Sequence, residues 1–333
     1  MISNIPDYRV TLDGKDLTAR FRPRLLSLSI TEKRGDEADQ LDISLDDADG
    51  RLALPKAGAV LQIQIGWKQG SGVKVGLVDK GSFVVDEIEH SGPPDAVTIR
   101  ARSADFTSDL RTRREKSWHD TTVGTIVTEV AGRNGLSARC APALASIAVK
   151  TLAQSRESDM ALLRRLGREH DAVATIKRGS LIFAPVGSGQ TASGATLPAL
   201  SLRRRDGDRH SYRVEKREEA DGVTASYHDR DEAARKDVTV GKTAGAKKLS
   251  HVYATKSSAE RAAKSTMKRA KRQPVSLTVA LALGRADLYP EQKASVSGFK
   301  AEIDAVAWLV SEVTHTVNER GFVTGLKLES APT

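Results

Sequence analysis

In one segment after another of this 333-residue chain, apolar residues take every second position, a spacing that puts them on one face of a pleated ribbon. In the first third the sets are Tyr8, Val10 and Leu12; Leu26, Leu28 and Ile30; Leu41, Ile43 and Leu45; Leu61, Ile63, Ile65 and Trp67; and Val97, Ile99 and Ala101. Turn signals such as Asp13-Gly14, Asp49-Gly50 and Pro93-Pro94 fall between them, at intervals suited to antiparallel hairpins. A small barrel or sandwich is the expected result, and closing the barrel would remove the exposed strand edges that invite aggregation.

The period then changes. From Thr121 to Gly132 the residues Val123, Ile126, Val127, Val130 and Ala131 follow helical spacing, with Gly132 as a stop. A second helix is predicted from Ser158, whose side chain can cap the first turn beneath Leu162, Leu163 and Leu166. A strand pair at Ala172–Ile176 and Leu181–Phe183 turns at Arg178-Gly179, and residues 187–194, with nothing apolar larger than alanine, read as a mobile loop. Alternation returns at Val223, Ala225 and Tyr227, from Val275 to Leu283, and from Phe322 to Leu328. Between them a helix is predicted over residues 257–272. Ser257-Ser258-Ala259-Glu260 is its capping box, Ala259, Ala262, Ala263, Met267 and Ala270 are its small-residue stripe, and Pro274 ends it. The expected organisation is a mainly β chain with an α+β insertion: a first β-barrel domain over 1–110, an α+β middle domain over 111–200, and a second β-barrel region over 201–333. No internal repeat of a solenoid is evident.

Charge is localised. The formal net charge is +9, yet residues 1–110 hold 14 Lys and Arg against 18 Asp and Glu, while residues 240–272 hold 10 against the single Glu260. The chain is therefore a mildly charged body with one basic element. The single cysteine, Cys140, can form neither an intrachain disulfide nor a thiolate metal cage, which points to a reducing compartment. The N-terminal stretch shows no signal-peptide pattern, and no run of about 18 apolar residues signals a membrane span.

Signatures of catalysis are missing. Gly241-Lys242-Thr243 resembles the end of a phosphate-binding loop, but Lys236 stands where the upstream glycine is needed. Neither the dinucleotide-binding glycine spacing nor a nucleophile elbow occurs. His119-Asp120, His170-Asp171 and His228-Asp229 read as surface polar pairs, and Glu218-Glu219 and Asp46-Asp47 as solvated carboxylates with nothing to raise one pKa. No histidine or cysteine cluster has metal-ligand spacing. The expectation is no enzyme, with no catalytic, cofactor-binding or metal-binding residues and no cofactor. Arg261, Lys264, Lys268 and Arg272 line one helix face that could track phosphates, though no aromatic between residues 254 and 274 is present to stack on bases.

Three segments together resemble the late control protein D family of contractile-tailed phages, the tail hub that shares its fold with the head region of type VI secretion spike proteins. The most specific is Leu152 to Leu166, which is similar to the family's Gln-x-x-Glu-Ser-Asp pattern leading into a leucine-bearing helix. The second is His251-Val252-Tyr253 with the basic helix and the strand after Pro274. The third runs from Ile303 to Leu328, with Trp308-Leu309-Val310, Val313-Thr314-His315 and Gly321-Phe322-Val323-Thr324. Where the family usually shows a Gly-Asn/His-Pro turn, this chain has Gly284-Arg285-Ala286-Asp287-Leu288-Tyr289-Pro290.

The resemblance implies a hub-like homotrimeric ring. Two small barrels per subunit would give six similar modules around a DNA channel, joining a sixfold tail tube to a threefold central spike. The implied partners are tube ring proteins, the central spike protein and other baseplate proteins, with transient passage of DNA and no membrane span. The implied location is the virion tail baseplate, assembled in the host cytoplasm. Because the chain ends at Thr333, soon after its last strand, the phage hub is expected over a secretion spike with a long extension. The alternatives are a basic nucleic-acid-binding protein, and the hub part of a type VI-like secretion spike or phage-derived injection particle.

Overall fold

The computed structural model describes residues 3–35, 38–103, 108–177, 179–189, 195–215, 221–229, 232–272 and 275–331. They gather into two compact units: residues 1–106, 199–212 and 277–328 form the first, and residues 107–198 and 213–276, with 329–333, form the second. This grouping cuts across the spans read from the sequence, since residues 213–276, basic helix included, gather with the middle of the chain.

The first unit is built on one 13-stranded sheet. Its order runs from Gly207–Val214 through Val275–Leu281, Gly321–Ser330, Trp308–Asn318, Leu25–Lys33, Gln40–Asp46, Ala96–Ser103, Gly76–Ser91, Val60–Gln69 and Ile5–Leu12 to Lys15–Asp16. Lys293–Ser297 joins Trp308–Asn318 from the side and pairs in parallel with Leu200–Arg203. One antiparallel pairing, Ser27–Lys33 against Glu312–Asn318, joins the N-terminal strand set to the C-terminal one. Thr31 and Thr314 face each other there across 283 residues of sequence.

The alternation explains the core. Leu28, Ile30, Leu41, Ile43, Ile63 and Ile65 are fully buried, as are Phe322, Leu326 and Leu328. Each such side chain contributes about 1.5–3 kcal/mol by leaving water. Leu26 departs from the pattern. A register shift between Leu25 and Ser27 leaves it as an extra residue, and it lies 48% exposed while Leu28 and Ile30 point inward.

The second unit combines three small sheets with helices, giving the α+β part of a mainly β chain. Arg113–Thr122 pairs with Ala148–Ser158, and Ala172–Lys177 pairs with Ser180–Pro185, which Ser137–Cys140 joins in parallel. Gly222–Asp229 sits between antiparallel Ala234–Gly241 and parallel Lys247–Tyr253. Helix Val123–Arg133 buries all five of its predicted apolar residues and is capped by Thr122, whose side chain accepts from the Thr125 amide. Helix Asp159–His170 is capped by Ser158, as the sequence predicts.

The basic helix spans Lys256–Arg272, and its cap differs from the expected box. Thr255 Oγ1 accepts from the Ser258 amide at 3.2 Å, so the helix starts earlier than Ser257 implies. Ala259, Ala262 and Ala263 are buried against Val223, Ala225, Tyr227 and Tyr253, with Met267 packed beside them; Ala270 is exposed. Small side chains let this helix lie close on the sheet, and its second-unit packing follows from that contact. Arg178, residues 190–194 of the expected mobile loop, Glu218-Glu219 and Pro274 lie outside the described residues. No described helix is long and apolar enough to cross a membrane.

Candidate functional site

Two buried polar clusters, one in each unit, fix the scaffold from which any working surface projects. In the second unit the cluster is the Gln154–Asp159 segment. A register shift between Gln154 and Glu157 ends the strand pairing, and Arg156 takes a left-handed φ of 48°. Asp159, fully buried, accepts from Arg133 Nη2 at 2.5 Å and Nε at 2.9 Å, from Asn134 Nδ2 at 2.8 Å and from Gln154 Nε2 at 2.9 Å. Gln154 also accepts from Arg133 Nη2 and donates to the Glu157 carbonyl. Glu157 in turn holds Arg165 through both carboxylate oxygens. Every member of the Gln-x-x-Glu-Ser-Asp pattern thus does structural work. Gln154 and Asp159 tie the bulge to helix Val123–Arg133, Glu157 anchors the next helix through Arg165, and Ser158 caps it.

In the first unit the cluster lies where the two strand sets meet. Lys80 is the extra residue of a bulge in Gly76–Ser91, since Ile63 pairs with Gly81 and Gln64 with Asp79. The bulge turns the Lys80 side chain inward, where it is fully buried and donates to Glu32 Oε2 at 2.7 Å and to the Leu288 carbonyl at 3.2 Å. Its ammonium lies 3.9 Å from the centre of the Tyr289 ring. Glu32 takes the inward position that follows Leu28 and Ile30, and across the joining pair His315 Nε2 is 3.5 Å from Glu32 Oε2. His315 Nδ1 is 3.0 Å from Thr324 Oγ1, which also accepts from the Arg285 amide. Burial, and then the charge of Lys80, hold the His315 pKa below its ordinary value. Nearby, Trp67 Nε1 donates to the Gly284 carbonyl at 2.8 Å, and Gly284 lies so close to the Phe322 ring that an added Cβ would come within 2.4 Å of it. The turn that departs from the family pattern is held by these contacts.

The residues weighed for chemistry are not brought together. Lys242 of the Gly241-Lys242-Thr243 stretch ion-pairs with Asp221 at 2.8 Å. His119 and His228 are exposed, whereas His170 is half-buried, and burial together with the Arg261 charge pushes its pKa down to about 4. Asp47 is buried and accepts from the Leu52 amide, so the Asp46-Asp47 pair is not uniformly solvated. Cys140 is half-buried, and burial pushes its thiol up to about 11. Among the described residues no group of three or more His, Cys, Asp or Glu could hold a metal ion. Lys264 and Lys268 of the basic face are exposed, and Arg261 is half-buried. Sequence reading missed Glu32, Lys80 and His315. For Glu32 and His315 the signal available was a charged or polar residue at an inward position of an otherwise apolar alternation; Lys80, set by a bulge, carried none.

Each of these buried polar clusters locks strands and helices together within its own unit. A family model described as phage tail baseplate hub (GPD) matches residues 39–321. The chain is 45% identical to the probable baseplate hub protein of Escherichia phage 186, over 97% of this chain and 92% of that protein. Its fold is similar to that of the 43 kDa tail protein of prophage MuSo2 from Shewanella oneidensis, with a TM-score of 0.70 at 15% identity over 97% and 98% of the two chains. It is also similar to the E. coli c3393 protein, a component of the type VI secretion system, with a TM-score of 0.54 at 16% identity over 93% of this chain and 74% of that one. The chain belongs to the phage tail baseplate hub family, a structural and non-enzymatic family, and is a baseplate hub protein of phage tails.

Proposed function

We propose that the hub works as a homotrimeric ring that joins the sixfold tail tube to the threefold central spike around a DNA channel, after assembly in the host cytoplasm. The observation that carries this reading is the joining of two strand sets in one unit through a single strand pair, Ser27–Lys33 with Glu312–Asn318. Two comparable β modules per chain let three chains offer six similar faces to a tube and three to a spike. The buried Glu32–Lys80–His315 cluster at this junction fixes the angle between the modules, which such a symmetry match requires. Tube ring proteins, the spike and other baseplate proteins are the partners in this reading.

Sedimentation or light scattering of the purified chain tests it, with an expected mass three times the 35.9 kDa of one chain. A strictly monomeric protein at high concentration, with no association with tube or spike proteins, refutes it. A second reading, contact with passing DNA, is favoured by the exposure of Lys264 and Lys268. It requires DNA affinity that falls with salt and drops when both lysines are changed to glutamine; affinity indifferent to salt and to these changes removes it.

A further inference from the structure

The second unit contains a cleft of about 970 Å³, at the upper end of the roughly 300–1,000 Å³ typical of ligand sites. Its floor is helix Asp159–His170, one wall is strand Ala148–Ser158, and the other is His251–Thr255 with the first turns of the basic helix. Among the described residues, Ala148–Ser158 pairs only with Arg113–Thr122, and Lys247–Tyr253 pairs only with Gly222–Asp229. Each wall is therefore an edge strand. Every residue of Ala148–Ser158 except Gln154 lines the cleft, so both faces of the pleat contribute. That is what a strand presenting its edge, rather than one face, looks like.

The lining is cationic. Six Lys or Arg side chains line the cleft against two carboxylates, Glu157 and Glu169. Glu157 is already engaged by Arg165, and burial raises the Glu169 pKa. Arg113, Lys150 and Arg261 make no side-chain hydrogen bond or ion pair among the described residues. Arg261 is half-buried, and loss of hydration lowers its pKa, with the Glu169 charge acting against that shift. A guanidinium that has lost part of its hydration and makes no direct ion pair gains from an incoming carboxylate.

We propose that this cleft binds an extended acidic segment of a partner protein, which adds as a strand against the edge of Ala148–Leu152, short of the Ala153 carbonyl that accepts from Arg165, while its carboxylates meet Arg113, Lys150 and Arg261. Alternating backbone donors and acceptors along a strand edge match a peptide and have no counterpart in a nucleic-acid backbone. Arg261 is half-buried, whereas a duplex reaches charges that project. The proposal is independent of ring symmetry, because it concerns one chain and one segment.

The test uses the full chain and a dye-labelled octapeptide of alternating valine and glutamate, read by fluorescence anisotropy. Binding is expected, with at least about a tenfold loss in the Lys150→Gln/Arg261→Gln variant, which removes two charge-assisted bonds. A valine–lysine octapeptide should not bind. Amide exchange should slow at Ala148–Leu152 when the acidic peptide is present. Should Arg261→Gln impair folding, Arg113→Gln/Lys150→Gln, both at exposed side chains, carries the same expectation. Affinity unchanged in the variants, exchange unchanged at Ala148–Leu152, or binding of duplex DNA with no binding of the peptide overturns the proposal.

Discussion

Lys80→Met is the most direct probe of the junction in the first unit. Lys80 is fully buried, and its removal takes from Glu32, whose side chain is 3% exposed, the ammonium that lies 2.7 Å from Oε2. Removing one member of a buried pair costs about 3–5 kcal/mol, because the remaining charge keeps its desolvation penalty. Melting temperatures of units this size fall by about 2–4 °C per kcal/mol, so a drop of about 6–20 °C is expected. The assay is thermal unfolding followed by tryptophan fluorescence, with Trp67 and Trp308 buried in the first unit. The double variant Glu32→Leu/Lys80→Met, which removes both charges, should recover most of the loss. The single variant also carries a pH signature. Without the Lys80 ammonium, burial raises the folded-state pKa of Glu32 above the unfolded value, so its protonated form stabilises the fold at low pH and that stability is lost as pH rises through the raised pKa. The gap to wild type should therefore narrow on acidification. A single-variant loss under about 1 kcal/mol, or a double variant no better than the single, refutes the claim that this pair is held by mutual compensation.

Asp159→Ala, which strips four donors of their acceptor, should destabilise the second unit by about 3–5 kcal/mol, read from the emission of Trp118. Gly284→Ala forces a Cβ against the Phe322 ring and should cost about 1–3 kcal/mol in the melting of the first unit. His170 is held neutral, with a folded pKa of about 4, below its unfolded value, so it favours unfolding as pH falls. The melting temperature should decline between about pH 6.5 and 4, and His170→Gln should flatten that decline. Cys140, with its thiol at about 11, should react with iodoacetamide far more slowly in the folded chain than in urea at neutral pH.

Strands were legible because a two-residue period needs only local sequence, and the inward sets at Leu41–Leu45 and Val97–Ala101 appear where the alternation puts them. Bulges were not legible. One extra residue at Leu26 or Lys80 reverses which side chain faces the core, and neither stands out from its neighbours along the chain. The pairing of Ser27–Lys33 with Glu312–Asn318 was hidden because no local rule connects residues almost a chain length apart. Thr255 displaced Ser257 as the cap because several hydroxyls in a row satisfy the same pattern and only backbone geometry chooses among them. In the candidate cleft the cations were visible as residue types. Their convergence depends on a helix, a strand edge and a loop meeting in space, and for Arg261 the sequence showed only its place on a basic face.

The long-range pairing at the junction has a consequence for synthesis. The strand that completes the first sheet leaves the ribosome near the very end of translation, whereas residues 107–198 and 213–276 of the second unit are available well before it. Pairing that waits on distant sequence is slow to form. A chain stopped before residue 312 would thus hold most of the second unit but leave an open edge at Leu25–Lys33. The topology ties closure of the first sheet to the last part of the polypeptide to be made, so the order of the strands sets the order in which the two units can finish folding.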